Sequence, residues 1–145
     1  MCWCGKNIKR RANRNIPVFK IGTYVNENEA KSYYRGFQYH IGKKYYQEIG
    51  ANWNCDRPII AIKDGLHSYS EKCNIEPVTI YFYRVLCNGS HVKCYPIYEG
   101  PLAIIYCIIP KGAFYYENDL GEIVSSELII EKIEEINYGT IKGAD

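Results

Sequence analysis

Long apolar runs, a secretory leader and the common catalytic signatures are all missing from this 145-residue sequence. A membrane-spanning helix needs about 18 or more consecutive apolar residues. The strongest candidate, PLAIIYCIIP (101–110), is short and closed by proline at both ends. The opening MCWCGKNIKRRANRN has no apolar h-region, so no secretory export and no membrane partner are expected. That changes the meaning of the seven cysteines. An odd number of thiols without a leader reads as free cysteine in a reducing compartment, not as a disulfide scaffold. Asn88-Gly89-Ser90 matches a glycosylation acceptor that a cytoplasmic chain does not use.

The catalytic absences are as informative. There is no G-x-S-x-G elbow, no Walker loop and no dinucleotide fingerprint. A two-histidine phosphoesterase needs threonine or serine two residues after each of two histidines. The positions following His40, His67 and His91 at that spacing are Gly42, Tyr69 and Lys93. Cys2-Trp3-Cys4 is one residue short of the usual zinc-knuckle spacing, and CNGSHVKC around Cys87, His91 and Cys94 matches no recognised zinc pattern. The expectation is a protein without metal, cofactor or catalytic residues.

What is present leans toward strands. Apolar residues make up 47% and charged residues 23%, ordinary for a globular chain, while 15 tyrosines lift the aromatic share to 14%. Tyrosine and β-branched side chains fit a pleated, half-buried surface. Charge is unevenly spread. Lys6, Lys9, Arg10, Arg11 and Arg14 fall in the first fourteen residues with no acid among them. Residues 1–15 therefore read as a basic arm able to touch phosphates and dispensable for folding. Residues 16–145 read as a single α+β domain dominated by an antiparallel sheet, with one or two short helices.

Along the chain, IPVFKIGTYV (16–25) is a first strand and NENEAKS a polar turn with weak helical character. IIAI is a short buried strand, and SYSEKC starts a helix capped by Ser68 or Ser70. PVTIYFYRVLC (77–87) is the clearest strand, and HVKCYPIYEG returns as an edge strand interrupted by Pro96. LAIIYCII and AFYYE flank a Pro-Lys-Gly turn, and DLGEIV is a further turn. In SSELIIEKIEEINYG the apolar positions 128, 129, 130, 133 and 136 suit a helix, while the β-branched content suits a strand.

The aromatic stretch SYYRGFQYHIGKKYYQEIG (32–50) divides at Gly42 into two strands. Alternation places Tyr33, Arg35, Phe37, Tyr39 and Ile41 on one side, so most rings are core or cross-strand pairs. Arg35 interrupts that apolar side and needs a carboxylate, with Glu127 or Glu131 as candidates, or a ligand phosphate. The candidate ligand-binding residues are Arg35, Tyr34, Tyr39, His67, Tyr69 and Lys111, for a small nucleotide-like ligand stacked on tyrosine and held by cations. A lone histidine such as His67 otherwise anchors a loop. A nucleic-acid partner is the alternative, reached through the basic arm and aromatic strands. A host protein partner and a homo-oligomer are also compatible with the pattern.

MCWCGKNIKRRANRNIPVFKI, RGFQYHIGKKY, GLHSYS and CIIPKGAFYYEN…GEIVSSELIIEKI resemble segments of small bacteriophage and prophage proteins of unassigned activity. Those carry an opening like MCxCGK, a segment like RGFQYxxGKxY, and IPKGxxYY followed by S-x-x-L-I-I. The resemblance implies an accessory protein in the host cytoplasm, for instance one that sequesters an immune signal without turning it over. A second similarity is to ADP-ribosyltransferases, through YYRG, IPKGAFYYE and an acidic last strand. It implies that Arg35 or His67 binds NAD phosphates and that Glu127 or Glu131 stabilises the reacting ribose. The serine-threonine-serine element of those enzymes is not evident here.

Overall fold

The computed structural model describes residues 3–32, 37–52, 59–70 and 102–136. Among them are thirteen strands and no helix, and every strand pairing is antiparallel. The α+β expectation is thereby overturned. Ser68, expected as a helix cap, lies inside a strand, and the helix-like tail is a strand as well. The expected strands over 77–87 and 91–100 lie outside the described residues.

The centre is β3 (Ile16–Asn26), which is paired along one edge with β10 (Leu102–Ile109) over eight residue pairs. On its other side β10 pairs with β13 (Glu127–Ile136), and β13 pairs with β6 (Lys44–Tyr46). From its opposite edge β3 pairs with β4 (Glu29–Ser32), which pairs with β5 (Gln38–His40). β5 runs through the Ile41-Gly42 turn into β6, and Gly42 takes a left-handed φ of 81° there. The six strands β3, β4, β5, β6, β13 and β10 thus return on themselves like a small barrel. The seam between β5 and β6 is bridged by a side chain. The Tyr45 hydroxyl accepts from the His40 N–H at 2.8 Å and donates to the Gln38 carbonyl at 3.3 Å.

Period-two alternation fills this barrel. Val18, Ala30, Tyr39, Tyr45, Ala103, Ile105, Cys107, Ile109, Leu128, Ile130 and Ile133 form one buried cluster. The step from Ile130 to Ile133 breaks the alternation because β13 bulges. Tyr106 pairs with Lys132 and Cys107 with Ile130, leaving Glu131 as the extra residue.

The N-terminal half of β3 has a different neighbour. β9 (Leu66–Tyr69) meets it at the pair Phe19–Tyr69 and leads outward through β12 (Glu122–Ser125) and β11 (Phe114–Glu117) to β2 (Arg10–Arg11). A second sheet, of β1 (Trp3–Lys6), β8 (Ile59–Asp64) and β7 (Gly50–Asn52), packs on this wing. Trp3, Ile60 and Ile62 from the small sheet bury against Tyr116 and Val124 from the large one. Gly65 links β8 to β9 at φ 146°, where a Cβ would strike the Val124 side chain.

The first fifteen residues are therefore not a free arm. Trp3 is only 2% exposed, its indole Nε1–H donates to the Glu122 carbonyl at 2.7 Å, and Ala12 belongs to the main core. The physical reason is that Trp3 and Ala12 supply apolar contacts that the neighbouring charges conceal when the segment is read for charge alone. DLGEIV is also more than a turn: Asp119 and Leu120 turn, and Ile123 and Val124 are buried in β12.

Candidate functional site

Five cations gather around the outer edge of the large sheet. β2 is the last strand of that edge, and Arg11 pairs with Phe114 while Arg10 pairs with Tyr115. The Ala12 N–H donates to the Ala113 carbonyl at 2.8 Å, and the Gly112 N–H donates to the Ala12 carbonyl at 2.7 Å. These bonds tie the basic segment to the turn after β10. The Lys111 N–H donates to the Asn15 side chain at 2.9 Å, which brings Lys111 into the same neighbourhood.

Phe114 is the ring at the middle of this edge, 37% exposed. Its backbone is pinned by Ser126, which accepts at Oγ from the Phe114 N–H (3.2 Å) and donates its own N–H to the Phe114 carbonyl (3.0 Å). Lys9, just before β2, and Arg11, within it, lie over the ring, with Nζ 4.2 Å and Cζ 4.9 Å from its centroid. Among the described residues Lys9, Arg10, Arg11, Arg14 and Lys111 form no ion pair. The edge combines positive charge that has no ion-pair partner among the described residues, one accessible ring, and a backbone that holds both in place.

Of the six expected site residues, four are described, and Tyr39 and Lys111 stand apart from His67 and Tyr69 on β9. Tyr34 and Arg35 lie outside the described residues. Tyr39 is buried inside the barrel, with its ring edge-on to Tyr45 at 5.2 Å. Phe37, half exposed, packs edge-on against both. His67 and Tyr69 sit on β9, on the face toward the small sheet, where His67 is paired with Val124 and Tyr69 with Glu122. Burial lowers the pKa of His67, an effect that the Lys63 carbonyl opposes and Lys20 reinforces. The imidazole Nε2 lies 3.2 Å from that carbonyl and so carries the proton of the neutral ring. This is a histidine that anchors a strand. Of the four that are described, Lys111 lies on the basic edge.

The carboxylates offered as partners for Arg35, which itself lies outside the described residues, are both on β13. Glu127 is ion-paired with Lys44 at 2.7 Å, and Glu131 is the exposed residue of the β13 bulge. Among the described residues no cluster of histidine, cysteine and carboxylate can hold a metal ion. Cys4 and Cys107 are both free, one exposed and one buried.

Three functional candidates escape a reading by motif. Phe114 and Arg11 are 103 positions apart in sequence but adjacent in the sheet. Lys20 was accessible, because Ile16, Val18, Lys20, Gly22 and Tyr24 share one face of a strand that is otherwise apolar on that side. No family model, curated protein or solved structure matches the chain.

Proposed function

We propose that the protein binds single-stranded nucleic acid, without catalysis, along the β2–β11 edge. The observation that carries this reading is the pair of cations, Lys9 and Arg11, over the exposed Phe114 ring, on an edge where Arg10, Arg14 and Lys111 also form no ion pair among the described residues. Phosphates accept from lysine and arginine, and a base can stack on an exposed aromatic ring or on a guanidinium. The ring contact also fixes Lys9 and Arg11 before the ligand arrives, which reduces the ordering cost of binding. An open edge suits a chain of phosphates better than a single nucleotide, which binds in a concave site.

The resemblance to bacteriophage and prophage proteins supports placing this activity in an infected host cell, as an accessory that sequesters its ligand. A small nucleotide-like ligand is the second reading. It is favoured by the half-exposed Phe37, with Lys43 over the neighbouring Tyr45 ring at 5.3 Å.

Fluorescence anisotropy with a labelled single-stranded oligonucleotide, titrated across salt concentrations, tests the first reading. If all five cations meet phosphates, log affinity should fall with log salt at a slope of about −3.5, at roughly 0.7 per phosphate neutralised on a single strand. The double variant Lys9→Ala, Arg11→Ala should reduce that slope by about 1.4. A slope unchanged in the double variant sinks the proposal. Preference for a mononucleotide over the oligonucleotide would move the function to the second reading.

A further inference from the structure

The edge of β3 changes partner in mid-strand, and the change leaves a fork in the sheet. Phe19 pairs with Tyr69 of β9, and from Gly22 onward the same edge pairs with β4. Lys20 lies in the gap between the two neighbours. Its position opposite Ile105 across β10 turns its side chain toward the buried cluster. The ammonium donates to the backbone carbonyl of His67 and lies 5.3 Å from the centroid of the Tyr39 ring. No carboxylate pairs with it among the described residues. Of its three N–H groups, one has an acceptor among the described residues.

The residue that faces Lys20 is Ser68, one step along from the Phe19–Tyr69 pair and next in sequence to the carbonyl the ammonium binds. Ser68 is 2% exposed, and its hydroxyl has no hydrogen-bond partner among the described residues. Buried hydroxyls are almost always partnered, since leaving one unpaired costs roughly 1–3 kcal/mol. Ser68 stands on the side of β9 that faces the main core, paired across β12 with Ile123. A cation with free donors and an unpaired hydroxyl thus converge on the same fork.

We propose that this fork is an oxyanion subsite that holds one phosphoryl group between the Lys20 ammonium and the Ser68 hydroxyl. The group's charge is balanced by lysine, and its oxygens take the donors that the protein leaves unused. Tyr39 forms the apolar floor. The subsite is separate from the basic edge around Phe114 and does not depend on it.

The test is thermal unfolding of the full chain in inorganic phosphate, with chloride at matched ionic strength as the reference. A ligand that binds only the folded state raises the melting temperature, and the more so the further its concentration exceeds its dissociation constant. Wild type should melt higher in phosphate. Ser68→Ala should fold, be no less stable than wild type in chloride, and bind phosphate at least tenfold more weakly. Lys20→Met should lose the phosphate response, and Lys9→Ala, Arg11→Ala should keep it. A response to a nucleoside monophosphate as well as to phosphate assigns the subsite to the phosphoryl group of a larger ligand. A response to phosphate alone assigns it to the free anion. No phosphate response in wild type, or one that survives Ser68→Ala, overturns the proposal. So does a response lost only in the Lys9 and Arg11 variant, which would locate the anion on the outer edge.

Discussion

Replacing Trp3 with alanine should destabilise the protein by about 4–5 kcal/mol, although the residue sits third in a segment dominated by charge. Truncating a buried aromatic side chain to alanine typically costs about 3–5 kcal/mol, the lost transfer energy plus the cavity left behind. Trp3 meets those conditions: it is buried among Ile60, Ile62, Tyr116 and Val124, with its ring 5.8 Å from that of Tyr116. Its indole lies so close to Gly5 that a Cβ there would fall 2.5 Å from the ring. The lost hydrogen bond to the Glu122 carbonyl adds only the ordinary net value of about 1 kcal/mol, since that oxygen also accepts from the Asn118 N–H at 3.1 Å. For a chain of this size each kcal/mol lowers the melting temperature by roughly 2–4 °C, so a fall of roughly 10–15 °C is expected by scanning calorimetry. Trp3→Phe should lose about a third of that, because it keeps most of the apolar volume. A fall below about 3 °C in Trp3→Ala would refute the docking of β1. Equal losses in the two variants would show that the indole N–H, not packing, carries the effect.

The Tyr45→Phe variant should be destabilised by about 1–3 kcal/mol in urea unfolding, because it leaves the His40 N–H and Gln38 carbonyl without their bridge. No loss would mean that water replaces the hydroxyl at the seam. His67 has a folded pKa below its usual 6.5, so its contribution is complete above about pH 6.5 and is lost as pH falls through and below that value. Melting temperatures from pH 8 to 5 should fall, and His67→Gln should flatten the part of the decline due to this residue. Burial pushes the Cys107 thiol up to about 12, so iodoacetamide at pH 8 should label Cys4 and spare Cys107 until urea is added. Peptide mass spectrometry reads both sites, and rapid native labelling of Cys107 would contradict its burial.

The strands that alternate cleanly were readable from sequence. IPVFKIGTYV became β3, IIAI the first four residues of β8, and KKYYQEI contained β6, because period-two burial and β-branched residues agree there. The tail misled for a definite reason. A bulge at Glu131 shifts the buried positions from 128 and 130 to 133, and that spacing imitates the turn of a helix. Ser68 looked like a helix cap because serine before a polar run is a capping signal, but cross-strand pairing with Ile123 outweighs that local preference. For the candidate site, Lys111 was legible as a turn cation, whereas its neighbours were not. Phe114 and Arg11 become adjacent only through a strand pairing that spans most of the chain. Arg35 drew attention as a charge on an apolar strand face, and the same test applied to β3 would have found Lys20.

The way the first residues are held has a consequence for how the chain reaches its fold. Trp3 bonds to Glu122 across 119 positions, the Asn118 side chain reaches back to the Cys4 carbonyl across 114, and Lys111 meets Asn15 across 96. Contacts this distant in sequence cannot form on a ribosome until the last third of the chain has emerged. Until then β1 and β2 have no partner strand on the large sheet, and a tryptophan amid five cations waits in solvent. High contact order slows folding, and here it also postpones the basic edge. The edge takes shape only when β11 and β12 arrive, so a truncated chain carries the charge without the surface that arranges it.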